Sequence, residues 1–365
     1  MNPLEYRTSY TDNKMTEISV GNKIIGSNHR PFIIAEMSGN HNQSLERALA
    51  IVDAAAEAGA DAIKLQTYTA NTMTMPGIHK ISDEDSPWKG KELYDLYKQA
   101  YTPWEWHKEI FDRAASLGLV AFSSPFDETA VDFLEELGVP LYKIASVENT
   151  DHLLLKKVGK TGKPVIISTG VATIADLQES LEVIRSAGCT QFVLLKCTST
   201  YPASPEQTNI LTIPHMRMLF DCMVGLSDHT MGIGTAISSI ALGSVAIEKH
   251  FTLNRADGGV DSTFSLEPKE LKSLVVESER AWLSLGKVTY TLSQKEQKSM
   301  VFKRSLFASS DIKKGEPFTV HNIRSLRPAS GLHTRYYDSI LGKKAMSDIP
   351  AGTPIQWEHV EIVSE

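Results

Sequence analysis

Eight short apolar runs, most of them rich in Val and Ile, recur between residues 32 and 253 and constrain the fold more than any other feature of the chain. The stretches between them have helical spacing; in Gln43–Gly59, apolar residues recur at intervals of three and four, and Gly59 is a suitable C-terminal stop. Eight strand–helix units over roughly 250 residues predict a parallel (β/α)8 TIM barrel. A doubly wound open sheet is the main alternative, but no glycine-rich phosphate turn follows the first run. The runs are Phe32–Met37, Ala62–Thr67, Leu119–Phe126, Leu141–Ser146, Pro164–Gly170, Phe192–Ser199, Met223–His229 and Val245–Leu253.

The chain is predicted to divide into four parts: an N-terminal extension (residues 1–29), the barrel (30–288), a polar linker (289–303) and a small C-terminal domain (304–365). Lys314-Gly315 and Ala351-Gly352 are typical of turns, so the C-terminal domain is predicted to be β-rich. Within the barrel, the connection from Thr67 to Leu119, which includes Asp83–Pro87, is long and irregular. Connections of this length are typical of lids and binding elements, although a solvated insertion is an equal alternative.

Composition and charge exclude several classes of function. A formal net charge of -7 gives no reason to expect a nucleic-acid partner or a membrane surface, so an anionic substrate has to be held by a local cluster of Lys and Arg. No apolar run approaches the ~20 residues of a membrane span, and the polar N-terminus lacks the apolar centre of a secretory signal. Cys189, Cys197 and Cys222 have no paired spacing. Reduced thiols and a cytoplasmic location are therefore expected.

Polar residues occupy alternate positions near the C-terminal ends of the apolar runs. Because side chains two apart along a strand share a face, these residues are expected to line one rim of the barrel, where barrel enzymes place their active sites. The same alternation places Cys197 opposite Lys196 and Thr198, so a nucleophilic role for its thiol is not expected. The aligned residues are Glu36, Ser38, Lys64, Gln66, Lys143, Ser168, Lys196, Thr198, Ser227, His229, Glu248 and His250.

Lys64 and Lys143 lie within apolar strands, where an unpaired charge is costly. They are expected either to form buried ion pairs, for example with Glu36, or to face a ligand. Two lysines with several nearby hydroxyls suit a ligand that carries both a phosphate and a carboxylate. A Schiff-base lysine, which would make the chain an aldolase, is a further alternative. The hydroxyls are those of Ser124, Ser146, Ser168 and Ser227.

His229 and His250 end two neighbouring strands, and each is adjacent to a carboxylate, Asp228 and Glu248 respectively. Two imidazoles at equivalent strand ends indicate a site for a divalent ion such as Zn, Mn, Fe or Co, with positions left open for water and substrate. The alternative is that each histidine is a structural residue. His41, in Gly39–Asn42, is either a further ligand or a residue that caps its loop.

At these residues the sequence resembles the sialic acid synthases of the bacterial nonulosonate type. The matching motifs occur in the same order, and the resemblance covers the whole chain. Residues from Arg304 to the C-terminus resemble the antifreeze-like (SAF) domain of that family. The motifs are Ile34–His41, Lys64–Thr67, Phe122–Phe126, Tyr142–Ser146, Gly225–Thr230 and Glu248–Phe251.

Within the family, the sequence resembles the branch that makes pseudaminic acid. Cys197–Ala203 matches that branch, whereas the N-acetylneuraminate branch usually carries Asn at the position of Ser199. The sugar of the pseudaminate branch is 2,4-diacetamido-2,4,6-trideoxy-L-altrose, which lacks the 6-hydroxyl, so its site should offer more apolar contact than a site for N-acetylmannosamine. Further matches are Thr102–His107, Lys249–Phe251, Phe264–Leu266 and Arg327–His333.

The resemblance implies an enzyme that condenses phosphoenolpyruvate with an aldose and water and releases phosphate. It implies a divalent metal, Mn2+ with Mg2+ and Co2+ as alternatives, which is held by His229 and His250 and acts as a Lewis acid on the sugar aldehyde. Glu36 is implied as the base or water-positioning carboxylate, beside the catalytic His229 and His250. The residues implied to bind phosphoenolpyruvate are Lys64, Gln66, Ser124, Lys143, Ser146, Ser168 and Ser227. Those implied to bind the sugar are Asn40, Tyr201, Glu248, Asp261 and Arg327.

The resemblance also implies a domain-swapped homodimer, in which Arg327 reaches the sugar bound by the partner subunit. Three other functions stay open. The chain could be an N-acetylneuraminate or legionaminate synthase that uses another aldose, a metal-dependent or Schiff-base aldolase on the same barrel, or a non-catalytic carbohydrate-binding protein.

Overall fold

The computed structural model describes residues 17–82, 84 and 88–362. Residues 1–16 of the predicted N-terminal extension lie outside this range, as do Asp83 and residues 85–87 of the long connection. The described chain divides into two compact units on either side of the Gly286–Lys287 bond. All three cysteines are free, and none of the described helices is long and apolar enough to cross a membrane.

The first unit consists of an antiparallel hairpin, β1 (Glu17–Val20) and β2 (Lys23–Gly26), followed by a closed barrel of eight parallel strands within the described residues. The last barrel strand pairs with the first, and His250 lies opposite Glu36. This closure confirms the predicted barrel and excludes the open sheet. The barrel strands are β3 (Phe32–Glu36), β4 (Ala62–Thr67), β5 (Val120–Pro125), β6 (Tyr142–Ile144), β7 (Val165–Ser168), β8 (Phe192–Cys197), β9 (Met223–Ser227) and β10 (Ala246–His250).

Helices connect the strands and begin and end at residues suited to those positions. The first begins after Ser44, whose hydroxyl accepts a hydrogen bond from the Arg47 amide, and it ends at Gly59, which has the positive φ of 88° that glycine adopts without strain. Its buried residues, including Ile51 and Val52, face the strands. The helices of this unit are α1 (Leu45–Ala58), α2 (Ala70–Met73), α3 (Leu93–Ala100), α4 (His107–Ser116), α5 (Glu128–Glu136), α6 (His152–Gly159), α7 (Ile174–Ser186), α8 (Thr212–Phe220), α9 (Gly234–Ala241) and α10 (Pro268–Ser284).

An apolar core fills the N-terminal half of the barrel interior. Phe32, Phe122 and Leu195 belong to this core, together with Ile18 and Ile25 of the β1–β2 hairpin. The hairpin therefore closes the N-terminal end of the barrel, and the polar side chains of the strands are left to the opposite end. A second, larger core lies between the strands and the surrounding helices.

The sequence analysis expected an irregular connection between β4 and β5. The connection is instead partly helical, because it contains α2, α3 and α4. The helix α4 buries His107, Ile110 and Ala114, which lie at helical spacing. It packs against α1 and β5 and is the regular helix of its strand–helix unit. The insertion proper is therefore shorter than the predicted segment and ends near residue 106.

The second unit is a small domain with a core of its own. Its antiparallel strands are β11 (Ser305–Ala308) and β12 (Ile323–Leu326), and its helices are α11 (Gln294–Ser299) and α12 (Tyr337–Ile340). The predicted polar linker contains α11, which Ser293 and Glu296 stabilise through a capping box, so it is not extended chain. Gly315 and Gly352 occupy the two predicted turns with φ values of 83° and 86°.

Candidate active site

Inward-pointing side chains change from apolar to polar or thiol-bearing along the barrel strands. On each strand, the inward-facing residue two positions after the last apolar core position is at most 5% exposed. These residues form a buried ring at the C-terminal ends of the strands. The alternation predicts the members on six of the strands; it gave no assignment for β5, and it predicted the wrong face of β8. The ring consists of Glu36, Lys64, Ser124, Lys143, Ser168, Cys197, Ser227 and Glu248.

The two lysines of the ring lie against two carboxylates. Lys64 Nζ is 2.8 Å from Glu36 Oε2 and 3.7 Å from Glu248 Oε2, and Lys143 Nζ is 3.4 Å from Glu248 Oε1. Lys64 also donates to Ser124 Oγ at 3.2 Å. The ion pair with Glu36, which the sequence analysis weighed against a ligand-facing role, is therefore present. It does not exclude that role, because the same ammonium groups face the barrel interior.

The pKa values in this cluster follow from burial and mutual charge. Burial opposes ionisation of Glu248, but Lys143 and Lys64 outweigh it and lower its pKa to about 2. Burial raises the pKa of Glu36, with Lys64 opposing the rise. Burial lowers the pKa of Lys143, whereas at Lys64 the charges of Glu248 and Glu36 exceed the effect of burial and raise the pKa. The cluster therefore holds at least one firm anion, Glu248, between two ammonium groups.

Hydroxyl and amide groups around the lysines supply further hydrogen-bond donors. Ser168 Oγ is buried and has no hydrogen-bond partner among the described residues. Ser146 Oγ accepts from the Gly170 amide at 3.2 Å, and Ser227 Oγ donates to Glu248 at 3.1 Å. Gln66 Nε2 donates to Glu36 Oε1 at 2.9 Å. Two ammonium groups with these donors form a site that can hold a phosphate and a carboxylate.

His229 and His250 lie side by side at the same end of the barrel, with ring centroids 5.3 Å apart. His229 Nδ1 is 3.0 Å from the carbonyl oxygen of Thr198, which leaves Nε2 for a ligand. His250 Nδ1 is buried without a hydrogen-bond partner among the described residues and lies 3.7 Å from Asp261 Oδ2. Burial, followed by the charge of His229, holds the pKa of His250 well below its usual value, so its imidazole is neutral and able to bind a metal.

The donor set fits a divalent metal only if other ligands complete it. No cluster of three or more His, Cys, Asp or Glu in the described residues has the geometry to hold a metal ion. Two imidazoles would therefore leave most coordination positions to water or substrate. Open positions of this kind are what a catalytic metal site requires.

The sequence analysis was wrong about β8. Cys197 Sγ lies 3.9 Å from His229 Nδ1 and faces the barrel interior, whereas Lys196 Nζ donates to the Cys197 carbonyl and to Thr198 Oγ1 on the other face. Val193 and Leu195 belong to the inner core, so residue 197 is the next inward position. Asp228 is likewise not part of the metal site, because it forms a fully buried ion pair with Lys249 at 2.9 Å.

The residues predicted to bind a sugar are only partly brought together. Tyr201 lies with its ring 4.5 Å from that of His229, and Asp261 accepts a hydrogen bond from Ser38 beside His250. Asn40 is fully buried and its amide donates to the Phe251 carbonyl and to Ser265, so it ties two loops together. Arg327 is exposed and lies in the second unit, directly after β12.

His41 has protein partners on both ring nitrogens and is not available as a metal ligand. Its Nδ1 accepts from the Gln43 amide at 3.1 Å, and its Nε2 is 3.1 Å from Thr102 Oγ1. This geometry supports the loop-capping alternative. The residue holds the β3–α1 loop against the long connection.

Glu148 is a residue of the site that the sequence analysis did not identify. It lies in a short 3-10 turn after β6, two residues beyond Ser146. Burial raises the pKa of Glu148 to about 7, although Lys143 opposes the rise, and Oε2 has no hydrogen-bond partner among the described residues. A carboxyl group with a pKa near neutrality can donate or accept a proton at physiological pH. The sequence contained a signal for this residue, because Glu148 lies only two positions after the Lys143–Ser146 motif.

Comparison with known proteins identifies the relatives of both units. The model of the NeuB family matches residues 51–290, and the model of the SAF domain matches residues 303–361. The chain belongs to the NeuB family. The pseudaminic acid synthase of Campylobacter jejuni is 42% identical over 340 residues, which cover 93% of this chain and 98% of that protein. The pseudaminic acid synthase of Helicobacter pylori is 42% identical over 333 residues, which cover 91% of this chain and 98% of that protein.

A solved structure of the same kind has a similar fold. The N-acetylneuraminic acid synthetase of Leptospira borgpetersenii, in complex with citrate, superimposes with a TM-score of 0.70 at 33% sequence identity. The match covers 78% of this chain and 95% of that chain. The barrel, the SAF domain and the family therefore agree with the resemblance found in the sequence.

Proposed function

We propose that the chain is a pseudaminic acid synthase. It condenses phosphoenolpyruvate with 2,4-diacetamido-2,4,6-trideoxy-L-altrose and water, and it releases pseudaminic acid and phosphate. The observation that carries this proposal is a buried cluster of two lysines and several hydroxyls directly beside two histidines. The 42% identity with pseudaminic acid synthases over nearly the full length of the chain supports the choice of sugar.

Phosphoenolpyruvate is the ligand that the lysine cluster is proposed to bind. Lys64 and Lys143 supply two positive charges, and the unpartnered Ser168 hydroxyl supplies a donor. These groups neutralise the phosphate and the carboxylate and hold the enol double bond in the barrel mouth. The complete set of proposed contacts is Lys64, Gln66, Ser124, Lys143, Ser146, Ser168 and Ser227.

The metal site is proposed to hold a divalent ion, with Mn2+ as the first choice. His229 and His250 are its protein ligands, and the fit rests on the His229 Nε2 and His250 Nδ1 atoms being free to bind. When bound, the ion supplies a Lewis acid next to the open-chain aldehyde of the sugar. The two imidazoles and Tyr201 then orient that aldehyde toward the phosphoenolpyruvate carbon.

The bond changes balance without an additional reactant. The methylene carbon of phosphoenolpyruvate forms a bond with the aldehyde carbon, whose oxygen becomes a hydroxyl by taking up one proton, equivalent to the one that the attacking water releases. Water adds at the former enol carbon, and Glu36 orients this water and takes its proton. The carbon–oxygen bond to the phosphate then breaks, the added hydroxyl becomes the keto oxygen, and phosphate leaves with the proton of that hydroxyl. The buried position of Glu36, with Gln66 and Lys64 bonded to it, suits a base in a site from which bulk water is excluded.

The sugar is proposed to contact Asn40, Tyr201, Glu248 and Asp261. Arg327 of the partner subunit is proposed to complete the site in a domain-swapped homodimer, which gives the SAF domain a catalytic purpose. Ser199, at the position where the N-acetylneuraminate branch usually carries Asn, is proposed to reflect the missing hydroxyl of a 6-deoxy sugar. An N-acetylneuraminate or legionaminate synthase is the second candidate, since these enzymes share the same chemistry.

The test is a panel of aldoses with detection of released phosphate, run on chelated enzyme before and after addition of single divalent metals. We expect release that depends on phosphoenolpyruvate and is fastest with 2,4-diacetamido-2,4,6-trideoxy-L-altrose. A preference for N-acetylmannosamine would reject the pseudaminate assignment. Borohydride trapping of Lys64 or Lys143 as a covalent adduct would instead indicate a Schiff-base aldolase.

A further inference from the structure

Aromatic side chains pack directly on the two histidines of the site. The Tyr201 ring lies 4.5 Å from the His229 ring and 5.3 Å from the Phe264 ring, and Phe264 lies 5.0 Å from the His250 ring. The ring of a third aromatic residue, Trp88, lies 5.8 Å from that of Tyr201. These three aromatic residues, Trp88, Tyr201 and Phe264, form what we call the aromatic cluster. It extends from the histidines toward the long connection between β4 and β5.

Trp88 comes from a different part of the chain than the other two residues of the aromatic cluster, Tyr201 and Phe264. It belongs to the segment between α2 and α3, whereas Tyr201 follows β8 and Phe264 follows β10. Its indole Nε1 donates to the Val260 carbonyl at 3.0 Å, which fixes the ring against the β10–α10 loop. The long connection therefore places a large apolar side chain at the edge of the site.

The surroundings of Trp88 indicate that the indole separates the site from an open volume. A cavity of about 550 Å3 lies beside it, lined also by Gln43, Lys91 and Val260. The side chain that lies between Tyr201 and this cavity is therefore a bulky indole and not a polar group.

The chemistry of the proposed sugar explains an apolar wall at this position. Its aldehyde carbon has to lie near the histidines, so the 4-acetamido group and the C6 methyl group extend away from them. A sugar with hydroxyls at C4 and C6 would leave those hydroxyls without partners against aromatic rings. Aromatic faces instead favour contact with methyl and C–H groups.

We propose that Trp88 is a specificity-determining residue, which together with Tyr201 and Phe264 receives the methyl groups at the far end of the sugar, that of the 4-acetamido substituent and that at C6. This inference rests on the proposed function and assigns a role to the long connection. Trp88 acts on the sugar alone, because the groups that hold phosphoenolpyruvate lie on the barrel strands or, for Ser146, directly after one.

The experiment compares Trp88→Ala and Trp88→Phe with the wild-type enzyme, in the full-length chain loaded with metal. The matched control is Trp104→Phe, in the same connection, because Trp104 stacks on Phe133 and not on the aromatic cluster. For each variant we measure kcat/KM for 2,4-diacetamido-2,4,6-trideoxy-L-altrose and for N-acetylmannosamine. We also measure the Kd of phosphoenolpyruvate by calorimetry without sugar, which reports an intact barrel.

We expect Trp88→Ala to lower kcat/KM for the diacetamido sugar by roughly 10–200-fold, the range for losing small apolar contacts in a pocket. The Kd of phosphoenolpyruvate and kcat/KM for N-acetylmannosamine should stay within about threefold, and Trp88→Phe should fall between wild type and Trp88→Ala. An unchanged selectivity ratio, an equal loss with both sugars, or weakened phosphoenolpyruvate binding would overturn the inference. If the wild-type enzyme itself fails to use the diacetamido sugar, the proposed function is wrong.

Discussion

At the scale of single residues, the charge on the inner ring of the barrel is balanced between Lys64 and Lys143 on one side and Glu36 and Glu248 on the other. Each group is nearly inaccessible to solvent. Charges buried in this way are retained at a cost in stability, which is offset when they bind a charged ligand. The residue-level prediction is therefore that the lysines matter more for binding than for folding.

Replacement of Lys143 by Met should weaken binding of phosphoenolpyruvate. We expect KM to rise roughly 30-fold or more, which corresponds to the ~2 kcal/mol or more lost when one member of a buried charged contact is removed. Glu248 keeps Lys64 as a partner at 3.7 Å, so the variant should fold. The control is Lys196→Met on the outer face of β8, whose KM should stay near the wild-type value. Equal effects of the two substitutions would contradict the assignment of faces.

The buried pair of Lys249 and Asp228 is expected to act on stability. Lys249 Nζ also donates to the Thr230 and Gly232 carbonyls, and both charged side chains are completely inaccessible. Lys249→Met should lower the free energy of unfolding by about 3–5 kcal/mol, because it leaves Asp228 buried without a partner. Urea titration measures this loss. Adding Asp228→Asn to the same chain should recover part of it, whereas Lys313→Met, at an exposed ion pair, should leave the urea midpoint unchanged.

At the scale of elements, the alternation of side chains along the strands was enough to predict most of the site. It predicted that Glu36, Lys64, Lys143 and Ser227 share one face, because side chains two apart along a strand point the same way. It failed on β8 because strands of a parallel barrel are apolar on both faces, so the pattern does not reveal which face points inward. The half-buried Lys196 was then mistaken for a residue of the site.

The contacts of the long connection could not be predicted for a different reason. Trp88 meets Tyr201 and Val260, which are more than 100 residues away along the chain, and no local pattern records such pairings. Helix α4, by contrast, has a local pattern of buried residues that the sequence analysis overlooked. Local periodicity therefore sufficed for the barrel, whereas the wall of the site depends on tertiary contacts.

Two buried histidines make the elements around the β3–α1 loop sensitive to acid. Burial lowers the pKa of His41 to about 4 and that of His107 to about 4. In the unfolded chain these histidines have the usual pKa of 6.5. At pH values between about 4 and 6.5 the unfolded chain therefore binds more protons than the folded chain. The stability from these residues is therefore present at neutral pH and is lost as the pH falls from about 6.5 to about 4.

The difference is worth up to roughly 3 kcal/mol for each of these histidines. We expect the free energy of unfolding, measured in urea, to fall between pH values of about 7 and about 4.5. His107→Gln should be less stable at neutral pH, because it disturbs the contact with Thr67, but its stability should fall less steeply with acid. If the free energy of unfolding of His107→Gln falls with pH as steeply as that of the wild type, this origin of the acid sensitivity is contradicted.

At the scale of the whole molecule, the proposed homodimer predicts that Arg327 and the barrel histidines act across subunits. Arg327→Ala should raise KM for the sugar and leave the Kd of phosphoenolpyruvate unchanged. His229→Ala should abolish turnover. Each variant alone should therefore be poorly active, for reasons that lie in different units of the chain.

Mixing the two variants, at a sugar concentration well below the KM of Arg327→Ala, tests the exchange of domains. After dissociation and reassociation at equal concentrations, about half of the dimers are mixed, and each contains one intact site if Arg327 acts on the partner. We expect roughly one quarter of wild-type activity per subunit. Activity no higher than the sum of the separate variants would show that Arg327 does not complete the partner's site.

The most direct test of the proposed condensation is mass spectrometry of both products after incubation with phosphoenolpyruvate labelled with 18O at the bridging oxygen. In the presence of 2,4-diacetamido-2,4,6-trideoxy-L-altrose, we predict a nine-carbon acid and phosphate that carries the label, because the carbon–oxygen bond breaks. The label in the acid, or a product formed without release of phosphate, would contradict the account.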